Sequence, residues 1–268
     1  MQEYNKTDQQ LHFLSQLVAK ANRTYVSKKE DDSHTNLFFD ALGNRITGRW
    51  IETKNNKVLF VLNLDTLTIE VINESGNSVA EIATISNHLE EVEQEVEKVL
   101  PSLGLDPNGF TEPLHYEIPQ YDFAKNPIAK IDQNDLAHWI HFRKLANQAC
   151  FQLLGYTQLW EEVRIWPHHF DTGIYTVPKN NLGIGFGLAM EDSMAGSPYF
   201  YLAGYPLKGE IIYTNLPQSD DWEWETDDNW KGVILTLDTL CNLNEAAQLS
   251  TLTRYITKNI KWLLDYEN

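Results

Sequence analysis

Residues 36–72 read NLFFDALGNRITGRWIETKNNKVLFVLNLDTLTIEVI, and this stretch decides the fold class. It consists of short runs rich in β-branched and aromatic residues, separated by the turn pairs Gly43-Asn44 and Asn55-Asn56. Such pairs accept backbone conformations that other side chains resist, so the runs between them read as strands. The pattern predicts strands over residues 36–42, 45–52, 58–63 and 67–72, joined as an antiparallel meander.

Outward from the meander the periodicity changes from two to about 3.6. Leu11, Leu14, Leu17, Val18 and Ala21 recur at helical spacing, which predicts a first helix capped by Thr7 or Asp8 and ending near Arg23. Residues 28–33 are charged and read as a loop. A second helix is predicted over residues 86–100, with Leu89, Val92, Val96, Val99 and Leu100 inward and Glu90, Glu91, Glu93, Glu95 and Glu97 in water. Four of the ten prolines, Pro107, Pro113, Pro119 and Pro127, then forbid a helix. Phe110, Leu114, Tyr116, Ile118, Tyr121 and Phe123 are too apolar for a free linker, so this segment reads as an extended connector packed on the surface.

A long helix follows, capped by Asp132 or Asn134 and ending near Gly155, with Leu136, Ile140, Leu145, Ala149 and Leu153 as its core stripe. Strands are expected over residues 163–166, 171–177, 182–190, 199–204 and 232–237. The last helix starts near Asn244 and carries Leu249, Leu252, Ile256, Ile260 and Leu263. Runs of adjacent strands, rather than strands alternating with helices, give an α+β fold. We expect two helix–antiparallel strands–helix halves packed together, residues 1–104 and 132–268, joined by the connector 105–131. The shared pattern suggests a divergent internal duplication.

Composition narrows the function classes. At 268 residues the chain can bury one large core or two of about 130 residues. Eight Trp and twelve Tyr exceed what a minimal core needs, which points to some aromatic surface lining a groove or a partner face. A formal charge of −17 with only 21 Lys and Arg argues against nucleic-acid binding and against anionic membrane surfaces. It is compatible with metal ions, with cationic ligands and with plain solubility. Cys150 and Cys241 form no disulfide framework and no paired-cysteine zinc motif. Residues 1–10 are polar and no run approaches the ~18 apolar residues of a membrane span, so a cytoplasmic location is the default expectation.

Chemistry concentrates at Ile165-Trp166-Pro167-His168-His169-Phe170-Asp171. In an extended run Trp166, His168 and Phe170 share one face, and His169 and Asp171 share the other. An imidazole and a carboxylate two residues apart can ligate one divalent metal ion or form a His–Asp dyad. His168 joins them only if Pro167 places the pair in a turn. The alternative is a hydrogen-bonded core histidine, with Asp171 capping a turn.

A metal site needs a third ligand. Asp220-Asp221-Trp222-Glu223-Trp224-Glu225-Thr226-Asp227-Asp228 holds six carboxylates in nine residues. It reads as an acidic loop that holds an ion, roofs a pocket as an aromatic lid, or simply faces water. It lacks the glycine and spacing of an EF-hand.

Gly183, Gly185 and Gly187 follow Asn180-Asn181, but no Lys-Ser/Thr comes after them, so they read as a strand with one bare face and not as a phosphate loop. His138 and His141 lie three apart on a helix beside Asp135 without the His-Glu-x-x-His arrangement. Ser193 and Ser197 lack a nucleophile elbow. The candidate catalytic residues are His169, Asp171, Glu223 and Glu225, with His169 and Asp171 as metal ligands. The expected pocket is formed by Trp166, His168, Phe170, Gly185, Tyr199, Tyr201, Trp222 and Trp224.

The order of these elements resembles an uncharacterised bacterial family recognised by a W-P-H-H-F-D signature. In that family the signature precedes a G-x-G-rich strand, an acidic-Ser turn, a P-Y-x-Y strand, a Trp-rich segment and a G-x-x-L strand. The matching stretches are residues 166–171, 183–187, Glu191-Asp192-Ser193, Pro198-Tyr199-Phe200-Tyr201, 222–230 and 232–235. The family's Trp-rich segment carries histidines of a His-Trp-His-Thr kind, where this chain has Asp221-Trp222-Glu223-Trp224. The resemblance implies a fold and a site location, and no reaction. Three functions follow: binding of a small ligand or metal ion at a His/Asp pocket, metal-assisted hydrolysis with Glu223 or Glu225 as third ligand or general base, or a structural role with the histidines packed.

Overall fold

Helix α1 (Gln2–Tyr25) leads into strands β1 (Phe38–Asp40), β2 (Arg45–Thr47), β3 (Ile51–Glu52), β4 (Lys57–Asn63), β5 (Thr68–Asn73) and β6 (Ser78–Ala83), then helices α2 (Leu89–Val99) and α3 (Gln133–Thr157). Strands β7 (Arg164–Ile165), β8 (Thr172–Lys179), β9 (Leu182–Ala189), β10 (Tyr199–Pro206), β11 (Glu223–Thr226) and β12 (Lys231–Thr236) precede helices α4 (Leu237–Cys241) and α5 (Glu245–Asp265). The structure is a computed structural model that describes residues 1–54, 56–179, 181–227 and 230–265. Asn55 and Asn180 of the expected turns, and Asp228 of the acidic run, lie outside the described residues. The strands pair antiparallel, giving the α+β class read from the sequence. No helix among the described residues is long and apolar enough to cross a membrane.

The chain divides into two compact units that cut across the expected halves. The first comprises Lys6–Ile140 with Arg164–Phe170, and the second Met1–Asn5, His141–Val163 and Asp171–Asn268. The division falls inside α1, inside α3, between Val163 and Arg164, and between Phe170 and Asp171.

In the first unit the sheet runs β1-β2-β4-β5-β6, with β3 also on β4. The expected strand 45–52 is two strands, β2 and β3, both paired with β4 and separated by residues 48–50, where Gly48 N–H still donates to Phe60 O. A Cβ at Gly48 would stand 2.6 Å from Asn22 Oδ1 and 3.1 Å from Val18 Cγ1, so the glycine lets α1 lie directly on the sheet. Buried Asn22 fastens that contact: its amide donates to Asn36 O at 3.0 Å and its Oδ1 accepts from Arg49 N at 2.8 Å. Thr7 and Asp8 do not cap α1, which begins five residues earlier than Thr7 (Gln2). Asp8 is buried and accepts from Trp139 Nε1 at 2.7 Å. The proline-rich connector is held down as expected, by Arg23 donating to the carbonyls of Gly109, Phe110, Glu112 and Pro113. Burial of Phe110 adds the apolar part of that anchorage.

In the second unit the strands run β8-β9-β10-β12-β11, an order in which β12 inserts between β10 and β11. The first unit's sheet has no such insertion. Helix α5 lies on one face: the buried Tyr255 hydroxyl reaches Phe200 O and Val233 O, tying β10 to β12. Asn244 accepts from Ala247 N at 3.0 Å and caps α5 where the sequence places its start. Helix α3 runs past Gly155; the turn that closes it uses Gln158 at φ +56°, with Leu159 N bonded to Leu154 O.

Candidate functional site

The signature forms a turn in the first unit and is not an extended strand. Residues 167–169 turn after β7, and Trp166 O accepts from both His169 N at 3.2 Å and Phe170 N at 2.6 Å. Phe170 closes the turn at φ +58°, a left-handed conformation that costs a non-glycine residue about 1–2 kcal/mol. The cost is offset by packing. The fully buried Phe170 ring stacks on His12 (centroids 5.1 Å) and on Trp139 (6.1 Å). The alternation expected of Trp166, His168 and Phe170 against His169 and Asp171 is therefore absent.

Helix α1 clamps this turn through a carbonyl. Buried Pro167 O accepts from His12 Nε2 and from Gln16 Nε2, both at 2.9 Å. A carbonyl cannot donate, so His12 carries a proton on Nε2. Tyr121 Oη meets its Nδ1 at 2.7 Å, and Tyr116 donates to Gln16 Oε1 at 2.9 Å. The connector's tyrosines thus complete the polar shell around the turn.

His168 is half-buried, 5.6 Å from the Tyr116 ring and 4.3 Å from the His169 ring. Burial pushes its pKa down to about 4, with His169, His115 and His12 adding in the same direction. It is neutral at physiological pH. His169 is exposed, and Trp166 is half-buried with the Arg164 guanidinium 5.4 Å from its ring.

In the second unit Asp171 is buried at the head of β8, and its Oδ2 accepts from Tyr201 Oη at 2.5 Å. The Tyr201 hydroxyl is held well above its ordinary pKa, by burial first and then by the Asp171 charge. Arg143, fully buried on α3, donates to Thr172 Oγ1 at 2.8 Å. Burial and Asp171 also raise the Cys150 thiol, which keeps it protonated and unreactive.

The glycine strand is bare on one face and covered by rings of its own sheet. Gly187 pairs with Gly173 on β8 and with Tyr201 on β10. A Cβ at Gly187 would stand 2.5 Å from Thr172 O and 3.0 Å from Tyr201 Oη. Tyr205 lies over Gly185 and Tyr175 over Gly183 in the same way. Tyr199, expected in the pocket, donates to Asp192 at 2.7 Å.

Part of the acidic run is strand and not loop. Glu-Trp-Glu-Thr forms edge strand β11, with Glu223 opposite Ile234 and Glu225 opposite Gly232. Trp222 and Trp224 both donate to Pro217 O at 3.2 Å, which pins the segment from below. Trp222 is buried against Tyr255, while Trp224 packs on Trp262 and Tyr213.

Beside these rings a groove of about 430 Å³ opens at the end of β10, walled by Tyr205, Tyr213 and Trp230, with Glu210 and Lys231 among its lining residues. Trp230 donates to the Tyr205 hydroxyl, and its ring lies over Gly232. Lys231 Nζ stands 5.9 Å from the Tyr213 ring centre. Sequence reading did not find this groove. Its signals, Trp230 after the acidic run and the aromatic Tyr205 and Tyr213, are ordinary singly.

Among the described residues no group of three or more His, Cys, Asp or Glu is arranged to hold a metal ion. Each expected ligand is placed separately: His169 in the exposed turn, Asp171 in a buried hydrogen bond, Glu223 and Glu225 on an edge strand. No family model, curated protein or solved structure matches this chain.

Proposed function

We propose that the protein binds a small organic molecule, without chemical turnover, in the groove of its second unit. The observation that carries this reading is the groove itself: its volume falls in the roughly 300–1,000 Å³ range of small-molecule sites, and it joins three ring walls to two charged groups. Rings supply contact area at little entropy cost, and a few polar groups orient what they hold. In this reading the ligand lies among residues 204–213 and 230–231, where the sequence places it at His169 and Asp171.

A ligand-observed NMR screen of small organic compounds against the wild type and Trp230→Ala tests this. Hits that disappear in Trp230→Ala, with the fold retained by circular dichroism, are expected. A screen whose hits ignore Trp230, or that returns none, overturns the reading.

A further inference from the structure

We infer that the groove is built for an organic cation, an ammonium group carried on a small molecule; this rests on the groove being the binding site. Tyr205, Tyr213 and Trp230 bring three aromatic rings to the lining, and the face of such a ring carries the negative part of its quadrupole. Glu210 adds a full negative charge to the same lining. The chain itself shows that these faces accept an ammonium, because Lys231 Nζ already stands over the Tyr213 ring within the ~6 Å reach of a cation–π contact.

The surroundings point the same way. Glu225 lies opposite Gly232, the glycine that the Trp230 ring covers, and Glu223 shares its face two residues along β11. Asp227 accepts from Trp230 N at 2.9 Å. A formal molecular charge of −17 favours the approach of cations over that of anions. A neutral apolar ligand would use the rings and gain nothing from the carboxylates. Lys231 is the opposing group: its ammonium holds the place at Tyr213 that a ligand's ammonium would take, so it acts as a competitor.

The test titrates choline and its uncharged isostere 3,3-dimethylbutan-1-ol into the protein at 0.15 M salt, following tryptophan fluorescence and calorimetry. Choline is expected to bind at least about tenfold more tightly than the alcohol. Trp230→Ala and Glu210→Gln should each weaken choline, and Lys231→Met, which removes the competing ammonium from the lining, should tighten it. Equal binding of the two compounds, lost together in Trp230→Ala, overturns the cation inference and leaves the groove reading standing. Choline binding indifferent to Trp230 also overturns it, as bulk attraction. Neither compound binding, in wild type or Lys231→Met, overturns it too, and the compound screen then judges the groove reading separately.

Discussion

Phe170 shows how far a single residue departs from what its neighbours in sequence suggest. The W-P-H-H-F-D string is visible at once, but its conformation is not, because a phenylalanine at φ +58° carries no glycine or asparagine to announce the turn. Alternation was applied to a segment that does not alternate. The ring is what holds the turn, so Phe170→Ala should cost about 3–5 kcal/mol in urea unfolding. Phe170→Gly should be no less stable than Phe170→Ala, reversing the usual order, since glycine adopts this backbone without strain.

His168 supplies the pH dependence at the same scale. Its native pKa of about 4 lies below the ordinary 6.5, so the unfolded chain binds a proton that the native turn refuses. The stability this provides is complete above pH 6.5 and falls as pH drops from there toward 4. The urea midpoint should therefore fall between pH 7 and pH 5, and fall less in His168→Phe.

At the scale of elements, periodicity served well wherever one face meets a core. The meander, α2, α3 and α5 were legible from apolar spacing and caps. Strand β11 is hidden in the sequence because its outward residues are glutamates, so the alternation Glu223-Trp224-Glu225 looks like part of an acidic loop. The glycine strand was legible as a packing device, though not the source of the packing, which is tyrosines of neighbouring strands. Gly187→Ala forces its Cβ against the Thr172 carbonyl and should destabilise by about 1–3 kcal/mol. Gly155→Ala, in α3 with nothing within 4 Å of the new methyl, should stabilise by about 0.5–1 kcal/mol. Thermal or urea unfolding of the two variants separates a glycine required by contact from one that is merely tolerated.

At the scale of the whole molecule, the acidic balance and the surplus of aromatic residues were the features that bear on function. Composition pointed to aromatic surface in a groove or at a partner face and to compatibility with cations, and could place neither. The groove draws on residues 204–213 and 230–231, which become neighbours only because β12 inserts beside β10. No local pattern encodes that insertion. The signature turn, conversely, is held through the Pro167 carbonyl and the Phe170 ring, with His169 left exposed.

The division of roles between turn and groove can be tested in one comparison, the choline affinity of His168→Ala/His169→Ala beside that of Trp230→Ala. The histidine variant is predicted to bind within about twofold of wild type and Trp230→Ala at least about tenfold more weakly, a difference of ~1.4 kcal/mol. Loss of binding in the histidine variant with Trp230→Ala unaffected would contradict the account.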